Sequence, residues 1–357
     1  MGQAPCCLVL LGSVRYTGGS CAHCPKPGKA IRVSFGGGGA RRIFGMAKIL
    51  LAIIKTARPR QWVKNFALFT TVLFTGQLFN PKLFNASFLG FVAFCFLSSS
   101  NYIFNDLLDA PRDRKHPFKK FRPIASGKLS AGVAILVSIA FLLAGLAISY
   151  QLGQSFFILA SAFIFLQYAY TLVLKHINVI DILAITTAYF LRVYAGEAAT
   201  GYHISVWLAL AALSLALFLA IGKRRSELTL IQSYQGVVPR DTRATLLHYS
   251  EKLLDTYTAM FANSTFITYA FYTFLERPIT RGFFFRNYNE FVAEFPDRKW
   301  MMATIPFVLY GIMRYMQLIY EGKGESPEKI LMSDWPLLTT IILWVATVFI
   351  VVYGIGG

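Results

Sequence analysis

The chain has 357 residues, 55% of them hydrophobic and only 15% charged, with Lys and Arg outnumbering Asp and Glu 35 to 17 for a net charge of +18. A soluble globular domain carries about 25% charged residues, so that class is excluded, and the mean hydropathy of +0.52 fits a chain that repeatedly enters a bilayer. The basic residues lie between apolar segments rather than in one patch, which points to lipid headgroups or phosphorylated substrates and away from nucleic acid.

In chain order, residues 1–45 are Gly-rich and end in Arg41 and Arg42. They lack the basic start of a signal peptide and the Ser or Thr of a myristoylation signal. They read as a flexible leader, or as sequence upstream of a true start at Met46, with residues 46–357 as one transmembrane domain. Cys21 and Cys24 have the spacing of half a zinc site, but no second ligand pair follows, and Cys6, Cys7 and Cys95 imply no disulfide framework.

An amphipathic lead-in from Ile49 to Arg60 carries Lys55, Arg58 and Arg60. About nine apolar helices are then predicted, at 62–79, 87–107, 131–150, 155–174, 180–200, 204–221, 254–275, 300–320 and 337–352. The expected fold class is all-α, a polytopic membrane bundle. Basic residues recur in alternate connections: Arg112 to Lys128 after the second helix, Lys175 and His176 after the fourth, Lys223 to Lys252 after the sixth, Lys323 and Lys329 after the eighth. The opposite connections are short and poor in charge, except 276–299, which mixes both signs. The positive-inside rule places the basic side in the cytoplasm of a multi-pass protein of the cell (inner) membrane. A homo-oligomer is compatible with such a bundle.

The connection after the second helix carries the chemistry. Asn105, Asp106 and Asp109 end an apolar helix, with the two carboxylates three positions apart and therefore on one face. Pro111 discourages further helix, so Asp113 is expected from the following turn. Any one of these Asp residues alone would be a solvated turn residue. Three converging at a membrane surface call for a cation, and magnesium suits them because it takes one or two carboxylates together with substrate phosphates. His116, Lys119 and Arg122 follow at once and set cations beside that metal, with Arg122 able to fork onto a phosphate and His116 as a supporting contact.

Other polar residues point to the same side: Arg58, Lys64 and Asn65 flanking the entry to the first helix, Lys175 after the fourth, Asp181 and Arg192 in the fifth. An intramembrane Arg lines a polar cavity or pairs with a carboxylate, here Glu197. Lys223, Arg224 and Arg225, with Glu227, close the sixth helix, where cations suit both a helix C-terminus and a phosphate.

The run Asn-Asp-x-x-Asp-x-x-x-Asp from Asn105 to Asp113, after the second of about nine helices, resembles the UbiA superfamily of intramembrane prenyltransferases. The resemblance implies a second Asp-rich motif after the sixth helix, yet Lys223, Arg224 and Arg225 stand there, with no paired aspartates before the isolated Asp241. Residues 58–65, the Asp loop 105–117, and residues 122–125, 191–196, 222–224, 227–228, 305–307 and 314–315 are similar to the decaprenyl-phosphate phosphoribosyltransferase branch of that superfamily.

That branch implies phosphoribosyl diphosphate and a polyprenyl phosphate lipid as substrates. The cofactor would be Mg2+ on Asp106, Asp109 and Asp113, and the product a precursor of lipid-linked arabinose for the cell envelope. Phosphate contacts are expected from Arg58, Lys64, Lys119, Arg122, Lys175, Arg192, Lys223 and Arg224, with Asn105, His116, Asp181 and Glu227 in support. Trading a second acidic motif for cations suits substrates that bring three anionic groups instead of one diphosphate. The rivals are an aromatic prenyltransferase, which the missing second Asp motif disfavours, and a transporter, for which no internal repeat is visible.

Overall fold

The computed structural model describes residues 38–115, 119–233, 249–276, 299–321, 330–331 and 333–355, and every regular element among them is helical. The chain divides into two units at Met46 and Ala47. Residues 1–37, most of the expected leader, lie outside the described residues. Helix α1 (Gly38–Ala57) starts earlier than the lead-in expected at Ile49: Ala40, Arg41, Arg42, Ala47 and Lys48 favour helix, and no Pro intervenes before Pro59.

Next come a 3-10 segment (Pro59–Phe69), α2 (Thr70–Phe74), α3 (Pro81–Asp113), α4 (Ala131–Gln151), α5 (Gln154–Leu172) and α6 (Ile180–Thr200). They are followed by α7 (Val206–Ser233), α8 (Glu251–Leu275), α9 (Ile305–Tyr320) and α10 (Trp335–Phe349). Polar side chains start several of these: Asn80, Ser130, Ser250 and Asp334 each accept a backbone N–H of the first turn. Among the described residues, six helices are long and apolar enough to cross a membrane: 81–113, 131–151, 154–172, 206–229, 300–320 and 335–354. The protein is a multi-pass membrane protein. Helix α6 has spanning length but carries Asp181 and Arg192, both buried inside the bundle rather than turned to lipid.

Two expectations are corrected. The first predicted span is not one α-helix but the tighter 3-10 segment followed by the short α2, entered through Arg58 in a left-handed conformation with φ of 53°. Helix α3 does not stop before Pro111 but continues to Asp113. Arg122 donates to both Asp106 and Asp113 from outside the helix, which clasps the last turns that Pro111 weakens.

The core that positions the site joins the 3-10 segment to α3, α5 and α6 through Leu68, Phe94, Leu97, Phe156 and Phe163, all fully buried, with Ala93, Ala160 and Ala195 between them. Small residues let backbones approach closely within a membrane, where packing rather than water drives association. The closest approach is at Gly196, where a β-carbon would stand 2.2 Å from the Leu68 carbonyl oxygen. That contact lays the 3-10 segment against α6 and brings Asn65 beside Arg192.

Candidate functional site

The C-terminal turns of α3 present Asp106, Asp109 and Asp113 at spacings of three and four, so one helical face carries all three. Their side chains do not converge as expected, and among the described residues no three His, Cys, Asp or Glu side chains gather closely enough to hold a metal by themselves. Like charges repel, and each carboxylate is drawn to a nearby cation. Asp106 accepts from Arg58 at 2.5 Å and from Arg122 at 3.1 Å. Asp113 accepts from Arg122 at 2.7 Å, while Asp109 accepts from Asn105 at 3.0 Å and faces Lys175 at 3.4 Å. The donors are hard oxygens with two carboxylates one turn apart, which fits magnesium in the manner that leaves its other positions to water and phosphate.

Beside this acidic face opens a cavity of about 190 Å³. Arg58, Gln61 and Lys64 enter it from the 3-10 segment, Asn101, Tyr102 and Asn105 from α3, and Gln167, Tyr170 and Thr171 from α5. Tyr189 and Arg192 come from α6 and Lys223 from α7. Among the described residues, four cations line it and no carboxylate does. The Arg58 guanidinium also lies 5.2 Å from the centre of the Tyr102 ring.

Arg192 lines the polar cavity, the first of the two settings expected for it. It does not reach Glu197, which bonds instead to His203. Its Nε donates to Asn65 Oδ1 at 2.8 Å and its Nη1 to the Ala188 carbonyl at 2.6 Å. The guanidinium is held over the rings of Phe163 and Tyr189, 4.5 and 5.5 Å from their centres. Asn65 is fixed in turn by donating through Nδ2 to Cys95 Sγ.

Arg224 is corrected in its role. It does not line the cavity but is wholly buried behind it. Its Nε lies 2.6 Å from Asp181 Oδ2 as an ion pair, its Nη1 donates to Glu227 at 2.6 Å and its Nη2 to Tyr170 at 3.0 Å. With two carboxylates already in contact it is a fastener between α5, α6 and α7, and Asp181 and Glu227 serve it rather than a substrate. Arg225 is likewise spent, on Asp255 and Glu251 of α8. The end of α7 therefore offers the cavity one cation, Lys223.

Tyr249 completes the fastener, donating to Asp181 at 2.9 Å and accepting the Val179 N–H at 2.7 Å. Burial, with the Asp181 carboxylate also against it, pushes its hydroxyl up to about 12, so it remains a donor at neutral pH.

Lys119 is exposed on a 3-10 turn and does not line the cavity. His116 lies outside the described residues. Sequence reasoning overlooked Gln61, Asn101, Tyr102, Gln167, Tyr170, Thr171 and Tyr189. The signal was present: Asn101 and Asn105, Gln167 and Tyr170, and Tyr189 and Arg192 recur at helical spacing within apolar helices.

A second cavity, about 380 Å³ and almost wholly apolar, lies between α7, α8, α9 and α10, with Phe74, Leu215, Phe218, Ile312, Tyr315 and Trp344 in its wall. Leu219 lines it one turn, roughly 6 Å along α7, from Lys223 of the polar cavity.

The sequence profile of the UbiA prenyltransferase family matches residues 66–225. The decaprenyl-phosphate phosphoribosyltransferase of Corynebacterium glutamicum is 30% identical over 305 residues, 84% of this chain and 86% of that one. The enzyme of the same name from Mycolicibacterium smegmatis is 30% identical over 310 residues, 85% and 93% of the two chains. In fold, the chain is similar to a UbiA homolog from Archaeoglobus fulgidus bound to GPP and Mg2+. The TM-score is 0.61 at 21% identity, over 84% of this chain and 99% of that one.

Proposed function

This chain belongs to the UbiA prenyltransferase family of membrane transferases, and on that premise we propose that it transfers 5-phosphoribose from phosphoribosyl diphosphate to a polyprenyl phosphate, releasing diphosphate. The observation that carries this reading is the cavity lined, among the described residues, by Arg58, Lys64, Arg192 and Lys223 and by no carboxylate, set against the acidic face of α3. A prenyl donor brings one diphosphate; phosphoribosyl diphosphate and a lipid phosphate together bring three anionic groups, which suits four cations. The relatives named decaprenyl-phosphate phosphoribosyltransferase support the same reaction class, with decaprenyl phosphate as the expected lipid.

Asp106 and Asp109, with Asp113 one turn on, would hold magnesium, which when bound neutralises charge on the departing diphosphate. Arg58, Arg122 and Lys175, which contact these carboxylates, would supply cations for the diphosphate oxygens beside a bound metal. The bond from the ribose anomeric carbon to diphosphate breaks with oxocarbenium character while a lipid phosphate oxygen bonds to that carbon. That oxygen is already ionised and needs no strong base, so the protein's task is positioning and electrostatic stabilisation. The apolar cavity one turn along α7 would take the first isoprene units of the lipid chain. The basic connections support a site that faces the cytoplasm.

The test incubates purified protein in detergent with labelled phosphoribosyl diphosphate and several polyprenyl phosphates, with and without magnesium. Label is expected in the lipid only when magnesium is present. Prenylation of an aromatic acceptor, with no labelled lipid, would overturn the reading.

A further inference from the structure

We infer that the floor of the polar cavity is a phosphate subsite that needs no metal, centred on Arg192 and distinct from the metal-dependent diphosphate site on α3. The inference deepens the transferase reading and rests on it. A buried charge that is not offset costs several kcal/mol, so buried cations are paired. Arg224 obeys this rule with two carboxylates. Arg192, equally buried in the middle of α6, has among the described residues only an amide oxygen, a carbonyl oxygen and two ring faces. Each of these orients a guanidinium, and none cancels its charge. The missing charge must come from whatever occupies the cavity that Arg192 lines.

The side chain is also held for the purpose. With Nε on Asn65 and Nη1 on Ala188, its other terminal nitrogen makes no hydrogen bond among the described residues. Phe163 and Tyr189 fix the guanidinium plane. Asn65 shows its oxygen to Arg192 because its amide nitrogen is committed to Cys95, which makes Asn65 a positioning residue. Lys64 and Lys223 line the same cavity. None of Asp106, Asp109 or Asp113 lines it, so a phosphate here would be bound by protein cations alone. The ligand class is a phosphate monoester, either the 5-phosphate of the ribose donor or the headgroup of the lipid acceptor.

Equilibrium binding of labelled ribose 5-phosphate and of farnesyl phosphate to the full-length protein in detergent, with EDTA present, tests this. At least one probe is expected to bind without magnesium, and which one binds assigns the source of the phosphate. Arg192→Gln should weaken that binding at least about tenfold, and Arg192→Lys less, because lysine keeps the charge without the fork. Should the glutamine variant fail to fold, Asn65→Asp neutralises Arg192 in place as an ion pair and should produce the same loss. Binding of neither probe in EDTA, or binding that Arg192→Gln and Asn65→Asp leave unchanged, overturns the subsite. Magnesium-free binding without any transfer to lipid would sustain the subsite and sink the transferase reading; transfer without such binding would do the reverse.

Discussion

Arg192 and Arg224 are both large cations sealed inside an apolar bundle, at 3% and 0% exposure, yet they do different work. Arg224 sits among Asp181, Glu227 and Tyr170 and ties three helices together. Arg192 sits among an amide, a carbonyl and two rings, with its charge turned to a cavity. In such a bundle the counter-ion, more than depth, separates a fastening cation from a receiving one.

The largest expected effect is on turnover. Asp106→Asn should lower transferase activity at least about a hundredfold while the protein stays folded in detergent, since it removes a charged oxygen from the proposed magnesium site; near-normal rates would exclude Asp106 from that site. Next, Arg224→Met leaves Asp181 and Glu227 without their cation and should cost about 3–5 kcal/mol, read as a fall in unfolding temperature. Arg192→Met should instead keep most of its stability and lose activity. Equal stability losses in the two variants would break the comparison.

Lys223→Ala should raise the KM for a phosphorylated substrate about tenfold without shifting the magnesium dependence, in keeping with one charged hydrogen bond. A change in stability alone would make Lys223 a fastener like its neighbour. The smallest effect expected is from Tyr249→Phe, about 1–2 kcal/mol for two lost hydrogen bonds. Because the folded hydroxyl lies at about 12, above its ordinary 10.0, its contribution is complete below pH 10 and fades as pH rises through about 12. The phenylalanine variant should lack that alkaline component in pH-dependent unfolding.

Much of the fold could be read from hydropathy, because a helix that must satisfy its own backbone in lipid leaves an apolar run of fixed length. The predicted 180–200 coincides with α6. The 3-10 segment was hidden, because the apolar run within 62–79 is long enough for a span and nothing in its composition announces a tighter winding. The acidic face was legible because Asp106, Asp109 and Asp113 are close in sequence. The assignments of Arg192 and Arg224 were not, since Asn65 lies 127 positions from Arg192 and only packing makes them neighbours. Charge counting located the cations but could not tell which were already spent.

Arg58 holds φ at 53°, a backbone setting that glycine or asparagine adopts more readily than arginine. A selection for heat- or detergent-resistant variants that never measures turnover should therefore drift toward glycine at this position, relaxing the chain while deleting a cavity cation. Robustness and chemistry pull position 58 in opposite directions, so an engineering campaign should hold it fixed and seek its gains on the lipid-facing side of α4.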